Sequence, residues 1–302
     1  MFKVGETIYP AKFINQDSKN FVMIHKEGHF HCIHNAKLYW QAWLPRTKPR
    51  AILVIVHGYN DHSGRFMNVV NRFVPKGFAV YGLDQIGCGK SEGTRVYVEK
   101  FEDYTKIIHF FLRMIRNMQP EIPSFLVGYS MGGLITSVYL LENQKRLSGA
   151  VFIGPIVKVP EYITAFTIFI SKIFSALLPK VGLLTLKDEV MSKDQKVVDT
   201  YKTDPLTHHG KMTARLATEL LKAMIQLNKE GNKITLPVLI LQGAADELGD
   251  PEGAQMLFDL IQSKDKQLNL YQGLYHELFN EPEREMVFMD IEKWLNRQIG
   301  TS

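Results

Sequence analysis

Five short apolar runs limit what this 302-residue chain can fold into. They are AILVIV (51–56), FAVYGLD (78–84), FLVGYS (125–130), AVFIGP (150–155) and PVLILQG (237–243). A strand with one face in water alternates apolar and polar residues. A strand that is apolar almost throughout is covered on both faces, as parallel strands are. Between the runs lie segments with helical periodicity: RFMNVVNRFVPKG, EKFEDYTKIIHFFLRMIRNM and LITSVYLLENQ. A further one, EPEREMVFMDIEKWLNRQ, closes the chain. Strands alternating with helices specify an α/β fold, a mostly parallel central sheet with helices on both faces. In such sheets ligands bind beyond the carboxyl ends of the strands, so chemistry is expected in the residues that follow these runs.

The first fifty residues have a different texture. FVMIH and HFHCIH, split by KEG, predict a hairpin, with LYWQAWLP as its continuation. From about Val157 to Ile225 the pattern is helical without a convincing strand, and alternation resumes at LPVLILQG. This predicts a helical cap over residues 157–226, inserted between core segments 1–156 and 227–302; such insertions act as lids that gate substrate access.

Composition narrows the function classes. With 45% hydrophobic residues the chain can bury a core, which excludes disorder. Lys+Arg 36 against Asp+Glu 31 leaves +5, and the basic residues are scattered. A nucleic-acid binder needs them in a stripe or cluster, so no nucleic-acid partner is expected. Cys32 and Cys88 are too few for a disulfide framework and suggest a reducing compartment. MFKVGETIYPAKFINQD has no apolar signal region, and no stretch approaches the ~20 apolar residues of a membrane span. A cytoplasmic location is expected.

Gly128-Tyr129-Ser130-Met131-Gly132 fits G-x-S-x-G. The pattern is short, but here a predicted strand precedes it and a predicted helix follows. That strand–turn–helix setting exposes a serine oxygen at a helix N-terminus, as a nucleophile elbow does. The alternative is a small-residue turn that packs a helix on a sheet. A serine hydroxyl needs a base to take its proton, and the base needs an acid to orient it. In the chain order Ser, acid, His, the candidates are Asp246, just past LILQGAA, and His276, just past NLYQGLY. Glu247 and Asp250 are close enough to compete with Asp246, which is preferred because it comes soonest after the strand. The tetrahedral intermediate needs two N–H donors, expected from Met131 and from Tyr59 in the loop after His57-Gly58. His57 ranks second to His276 as a base, since a histidine at that place more often braces the loop.

Other patterns point elsewhere less firmly. Asp84-Gln-Ile-Gly-Cys-Gly-Lys-Ser ends like a phosphate-binding loop but has Asp84 where its first glycine belongs. His29, His31, Cys32 and His34 crowd one strand, where His34 points away from the other two histidines, a poor arrangement for a metal. Neither a metal nor an organic cofactor is expected. The segment EYITAFTIFISKIFSALLP is apolar at 163, 166, 170, 173, 174 and 177. It is either a core helix or a lid helix that lines an acyl channel or dips transiently into a membrane surface.

Taken together, HGYNDHSGRF (57–66), LDQIGCGKSEG (83–93), GYSMGG (128–133), DTYKTDPL (199–206), LQGAAD (241–246) and YHELFNE (275–281) resemble the monoacylglycerol lipases, in the serine-hydrolase group that also holds bacterial lysophospholipase-like enzymes. The resemblance runs from about Ala51 to the last helix. It implies an α/β-hydrolase fold, a lipid ester substrate, the triad Ser130, Asp246 and His276, and oxyanion donation by Tyr59 and Met131. It also implies headgroup contacts from Asp61, Arg65 and Tyr201. The chain departs from the family pattern at Tyr59, where a small residue is common, and at Tyr129 and Cys88, where histidine is common. The expected activity is hydrolysis of long-chain monoacylglycerol. A lysophospholipase or general carboxylesterase is the alternative among enzymes, and a catalytically inactive binder the alternative outside them.

Overall fold

The continuous apolar runs become the centre of one nine-stranded sheet. The computed structural model describes residues 3–10, 22–159, 164–185 and 188–300. In chain order the elements are β1 (Lys3–Pro10), β2 (Val22–His31), β3 (Lys37–Leu44), β4 (Ala51–Val56), α1 (Met67–Phe73), β5 (Phe78–Leu83), α2 (Glu102–Met118), β6 (Ser124–Tyr129), α3 (Met131–Asn143) and β7 (Gly149–Ile153). Then follow α4 (Ala165–Leu177), β8 (Gly182–Leu184), α5 (Gln195–Thr203), β9 (Met212–Thr213), α6 (Ala214–Glu230), β10 (Val238–Gly243), α7 (Pro251–Leu260), β11 (Lys266–Tyr271) and α8 (Arg284–Gly300).

The sheet runs β1-β2-β3-β5-β4-β6-β7-β10-β11. From β5 to β11 every pairing is parallel, while β1, β2 and β3 join antiparallel at one edge. All residues of β4, β5, β6, β7 and β10 are buried, as their unbroken apolar character requires. β11 closes the parallel edge, and its residues Lys266 to Leu270 are only partly buried or exposed, so polar Gln267 and Asn269 are tolerated there.

Successive residues of β4 feed opposite faces. Ile52, Val54 and Val56 join a cluster with residues of α2, α3, α6 and α7, and Ala51, Leu53 and Ile55 join one with α1 and α8. Phe111 of α2 stands at the middle of the first cluster, its ring 6.0 Å from Phe30 and 6.5 Å from Trp40 and from Tyr81.

Two expectations are corrected. The KEG tripeptide is not a turn. β2 runs straight through it, with Glu27 opposite Gln41 and Gly28 opposite Trp40 of β3. The reversal falls at 33–36, where His34 and Asn35 take φ of 52° and 56° and Asn35 N–H bonds the Cys32 carbonyl. Asparagine and histidine tolerate this left-handed region better than most residues. The stretch after β7 is also not purely helical, since β8 and β9 pair antiparallel within it. Strands of three and two residues are too short to show a period. In the same stretch α6 sets Leu216, Leu220, Ala223 and Leu227 into the main core. Residue 163 of the predicted apolar helix lies outside the described residues; α4 begins at Ala165.

Phe111→Ala removes a fully buried ring from between three aromatic neighbours, and the surrounding rings can close the gap only in part. A loss of about 3–5 kcal/mol in unfolding free energy is expected. Denaturant titration checks it, and a loss below about 1 kcal/mol would show that this cluster repacks freely.

Candidate active site

Ser130 sits in the turn between β6 and α3 with φ 57° and ψ −122°, a conformation that non-glycine residues rarely adopt. Three hydrogen bonds hold it there. Its N–H donates to the Ile153 carbonyl of β7 (2.9 Å), and its own carbonyl accepts from Gly133 (2.8 Å) and Ile156 (3.3 Å). The glycine two residues on is required by space: a Cβ at Gly132 would stand 1.9 Å from the Val56 carbonyl oxygen. The first turn of α3 can therefore lie against the end of β4, and Ser130 is brought to the carboxyl edge of the sheet.

Asp246 follows β10 by three residues and His276 follows β11 by five, so adjacent strands deliver them to the same edge. His276 Nδ1 lies 2.7 Å from Asp246 Oδ2. The Asp246 carboxylate also accepts the Leu248 and Gly249 N–H groups and the Gln242 side-chain amide, each at 2.8 Å. Burial pushes this carboxyl up, but the charge and bond of His276 with the other hydrogen bonds outweigh it and hold the acid below its ordinary value. Burial likewise pushes the imidazole down, and the Asp246 charge outweighs it, so His276 lies above its ordinary 6.5. An ionised acid facing Nδ1 keeps the ring proton there and leaves Nε2 as the basic nitrogen. Of the competing carboxyls, Glu247 is exposed and Asp250 caps α7 while pairing with Lys158.

Ser130 and His276 line one cavity, with the Tyr129 ring 5.3 Å from the imidazole. Among the described residues the backbone N–H groups of Met131 and Tyr59 have no acceptor. Met131 opens a helix, where N–H groups are left over by geometry. Such a pair can serve an oxyanion. His57 has both ring nitrogens engaged: Nε2 accepts the Gln85 N–H (2.9 Å), which leaves Nδ1 to donate to the Gly58 carbonyl (2.9 Å). It braces the loop and has no lone pair free for a base. Asp84 is bound into the neighbouring loop in the same way, accepting from Ser63 and from the Lys90 N–H. This accounts for the loop that looks like a phosphate site. His34 pairs with Asp103 and His31 with the Asn35 carbonyl.

Arg65 crosses one wall of the cavity. Its guanidinium meets Asp61 at 3.2 Å and Glu277 at 3.0 Å and lies 4.7 Å from the centre of the Tyr201 ring. Asp61, Arg65 and Tyr201 are thus brought together beside Ser130. Glu277 is the site residue that the sequence reading missed. It is 2% exposed, and the carboxylates beside Arg65 keep that guanidinium charged in spite of its burial. The available signal was a glutamate directly after the candidate base in an otherwise apolar, loop-forming YHELF.

The stretch between β7 and β10 reaches over this edge by polar contacts. Asp204, after α5, meets His62 Nε2 at 2.9 Å; the Tyr59 hydroxyl donates to the Gly210 carbonyl (3.3 Å); the Glu277 N–H donates to Met191 (2.9 Å). The cavity is partly open to solvent and measures about 40 Å³. It has room for a few water molecules and none for an acyl glycerol.

In Asp246→Asn the charge that raises His276 is gone while its burial remains. The titration midpoint of His276, read by NMR of the ring, is expected above 6.5 in the wild type and lower in the variant. A midpoint that does not move would mean that Asp246 does not control this ring.

The family model described as serine aminopeptidase, S33 matches residues 47–283. A monoacylglycerol lipase of Mycolicibacterium smegmatis is 33% identical over 89% of this chain and 96% of its own length. A human monoglyceride lipase is 33% identical over 88% of each chain. The crystal structure of a Paleococcus ferrophilus monoacylglycerol lipase superposes with a TM-score of 0.77 at 30% identity, covering 88% of this chain and 99% of that one. The chain belongs to the serine aminopeptidase S33 family of α/β-hydrolases and, within it, to the monoacylglycerol lipase-like serine hydrolases.

Proposed function

We propose that the protein hydrolyses long-chain monoacylglycerol to fatty acid and glycerol through an acyl-Ser130 intermediate. The observation that carries this reading is the His276–Asp246 pair facing the cavity that holds Ser130 in its strained turn. His276 Nε2 takes the hydroxyl proton as Ser130 attacks the ester carbonyl. The carbonyl oxygen, now negative, is met by the Tyr59 and Met131 amides. The tetrahedral intermediate collapses as imidazolium donates its proton to the leaving glycerol oxygen. Water then repeats the sequence on the acyl-enzyme and releases the acid. Asp246 stays ionised throughout and stabilises the imidazolium. Asp61, Arg65 and Tyr201 face the alcohol side and can hydrogen-bond its hydroxyls.

Residues 157–226 serve as the cap. A cavity of about 40 Å³ must open before substrate enters, and the contacts that close it come from this stretch. Its outer surface carries apolar side chains that no described element covers: Phe174 is 44% exposed and Leu177 74%, with Ile173, Leu178, Val181 and Leu183 beside them. The partner of α4 within the protein is α6, which Arg215 and Thr218 bond on the other side. An apolar patch of this kind suits transient contact with a lipid surface, where the substrate resides. No described helix is long and apolar enough to cross a membrane.

Ser130→Ala is expected to lower monoolein hydrolysis by on the order of 10⁴ with folding unchanged by circular dichroism. A residual rate within tenfold of wild type would refute the nucleophile and leave a binding protein as the better account. Replacing Ile173 and Phe174 together by Ser is expected to cut liposome binding and monoolein turnover by severalfold while a short soluble ester is cleaved at nearly the wild-type rate. Equal losses on both esters would make the patch a folding feature.

A further inference from the structure

The cavity over Ser130 carries more negative charge than ester hydrolysis requires. Among the described residues three carboxylates line it, those of Asp61, Asp188 and Glu277, against a single guanidinium, that of Arg65. The tyrosines on its wall stay neutral, because burial pushes the phenols of Tyr59, Tyr129 and Tyr201 upward. His276 is neutral while it acts as a base. Among the described residues two negative charges are left uncompensated on its wall.

The arrangement of Arg65 sharpens the point. Anchoring a guanidinium takes one carboxylate, yet Asp61 and Glu277 hold it from two sides, and their side chains are each 3% exposed. A second buried carboxylate is costly unless another charge faces it. The remaining partners of Glu277 are neutral, the Asn280 amide and the Tyr129 phenol. Asp188 faces the half-exposed His209 at 3.5 Å, and the nearby Lys202 is bonded to Glu189. Among the described residues the Asp61–Arg65–Glu277 cluster therefore carries one negative charge beyond its guanidinium, and Glu277, directly after the catalytic-base candidate, lines the cavity that holds Ser130.

We infer that this surplus charge is a filter on the alcohol half of the ester, set chiefly by Glu277. The site takes neutral polyol headgroups, admits cationic ones, and rejects alcohols that carry phosphate or carboxylate. The inference rests on Ser130 as nucleophile and adds to that reading the headgroup class. Electrostatic interaction is strong where water is scarce, so one added negative charge in the ligand meets two fixed ones at close range. The filter acts in acylation only. Esters of one acid with different alcohols share the same acyl-enzyme, and in deacylation the headgroup is gone. Discrimination therefore falls on kcat/KM, while a kcat limited by deacylation stays common to all.

Three decanoate esters test this on the full-length protein: monodecanoylglycerol, decanoylcholine and 1-decanoylglycerol 3-phosphate. The glycerol and choline esters are expected within about tenfold of each other in kcat/KM, and the phosphate ester about 100-fold or more below. Glu277→Gln is expected to raise the phosphate-to-glycerol ratio about tenfold. Asp188→Asn, outside the Arg65 cluster and half-exposed, moves the ratio the same way by less and carries the test if Glu277→Gln does not fold. A wild-type phosphate ester within threefold of the glycerol ester overturns the inference. So does a ratio that neither variant moves, or a Glu277→Gln that lowers all three esters equally, as a purely structural clamp would. If none of the three is cleaved, the reading of Ser130 fails and the filter with it; cleavage without discrimination removes the filter alone.

Discussion

The first turn of α3 lies so close to the end of β4 that any side chain at position 132 would collide with the Val56 carbonyl. That approach, and the hydrogen bond from Ser130 to β7, force the chain through a positive φ at residue 130. The consequences extend across the site. The serine oxygen is turned out of the sheet toward the edge where the parallel strands end. The Met131 amide is freed at the start of the helix that follows. Adjacent strands β10 and β11 end at this edge too, so short loops bring Asp246 and His276 into hydrogen-bond contact from 30 positions apart in sequence. Local strain in one turn is held by the packing of a helix against a sheet whose two faces are both buried.

Burial and charge oppose each other in this site, and charge prevails at each key group. Desolvation alone would raise the Asp246 carboxyl and lower the His276 imidazole. Three hydrogen bonds to Asp246 and its pairing with the ring reverse both effects. The same balance operates on Arg65, which remains charged in a buried wall because Asp61 and Glu277 flank it.

Much of this was legible in the sequence, for identifiable reasons. Strands covered on both faces leave unbroken apolar runs, so the parallel core could be placed from the positions of those runs. The elbow was legible because glycine spacing, a strand and a helix coincide at 124–143. The edges were harder. KEG looked like a turn, yet the chain reverses at His34 and Asn35, residues with no glycine or proline to mark them. β8 and β9 are too short to carry periodicity. His57 was read correctly as a brace, since its two ring contacts are with local backbone. Asp61, Arg65 and Tyr201 are separated by up to 140 positions and entered through resemblance; no local pattern announces a contact between them. Glu277 was missed because a buried charge is visible only once its partner is known, and that partner, Arg65, lies more than 200 residues earlier.

The account turns on Ser130 being activated by His276. The most direct measurement is covalent labelling of the folded protein with a fluorophosphonate, with the modified peptide mapped by mass spectrometry in the wild type and in His276→Ala. A single adduct on Ser130, formed quickly in the wild type and slowed by orders of magnitude in the variant, is the predicted result. Labelling at another residue, no labelling of folded protein, or an adduct that forms equally fast without His276 would contradict it.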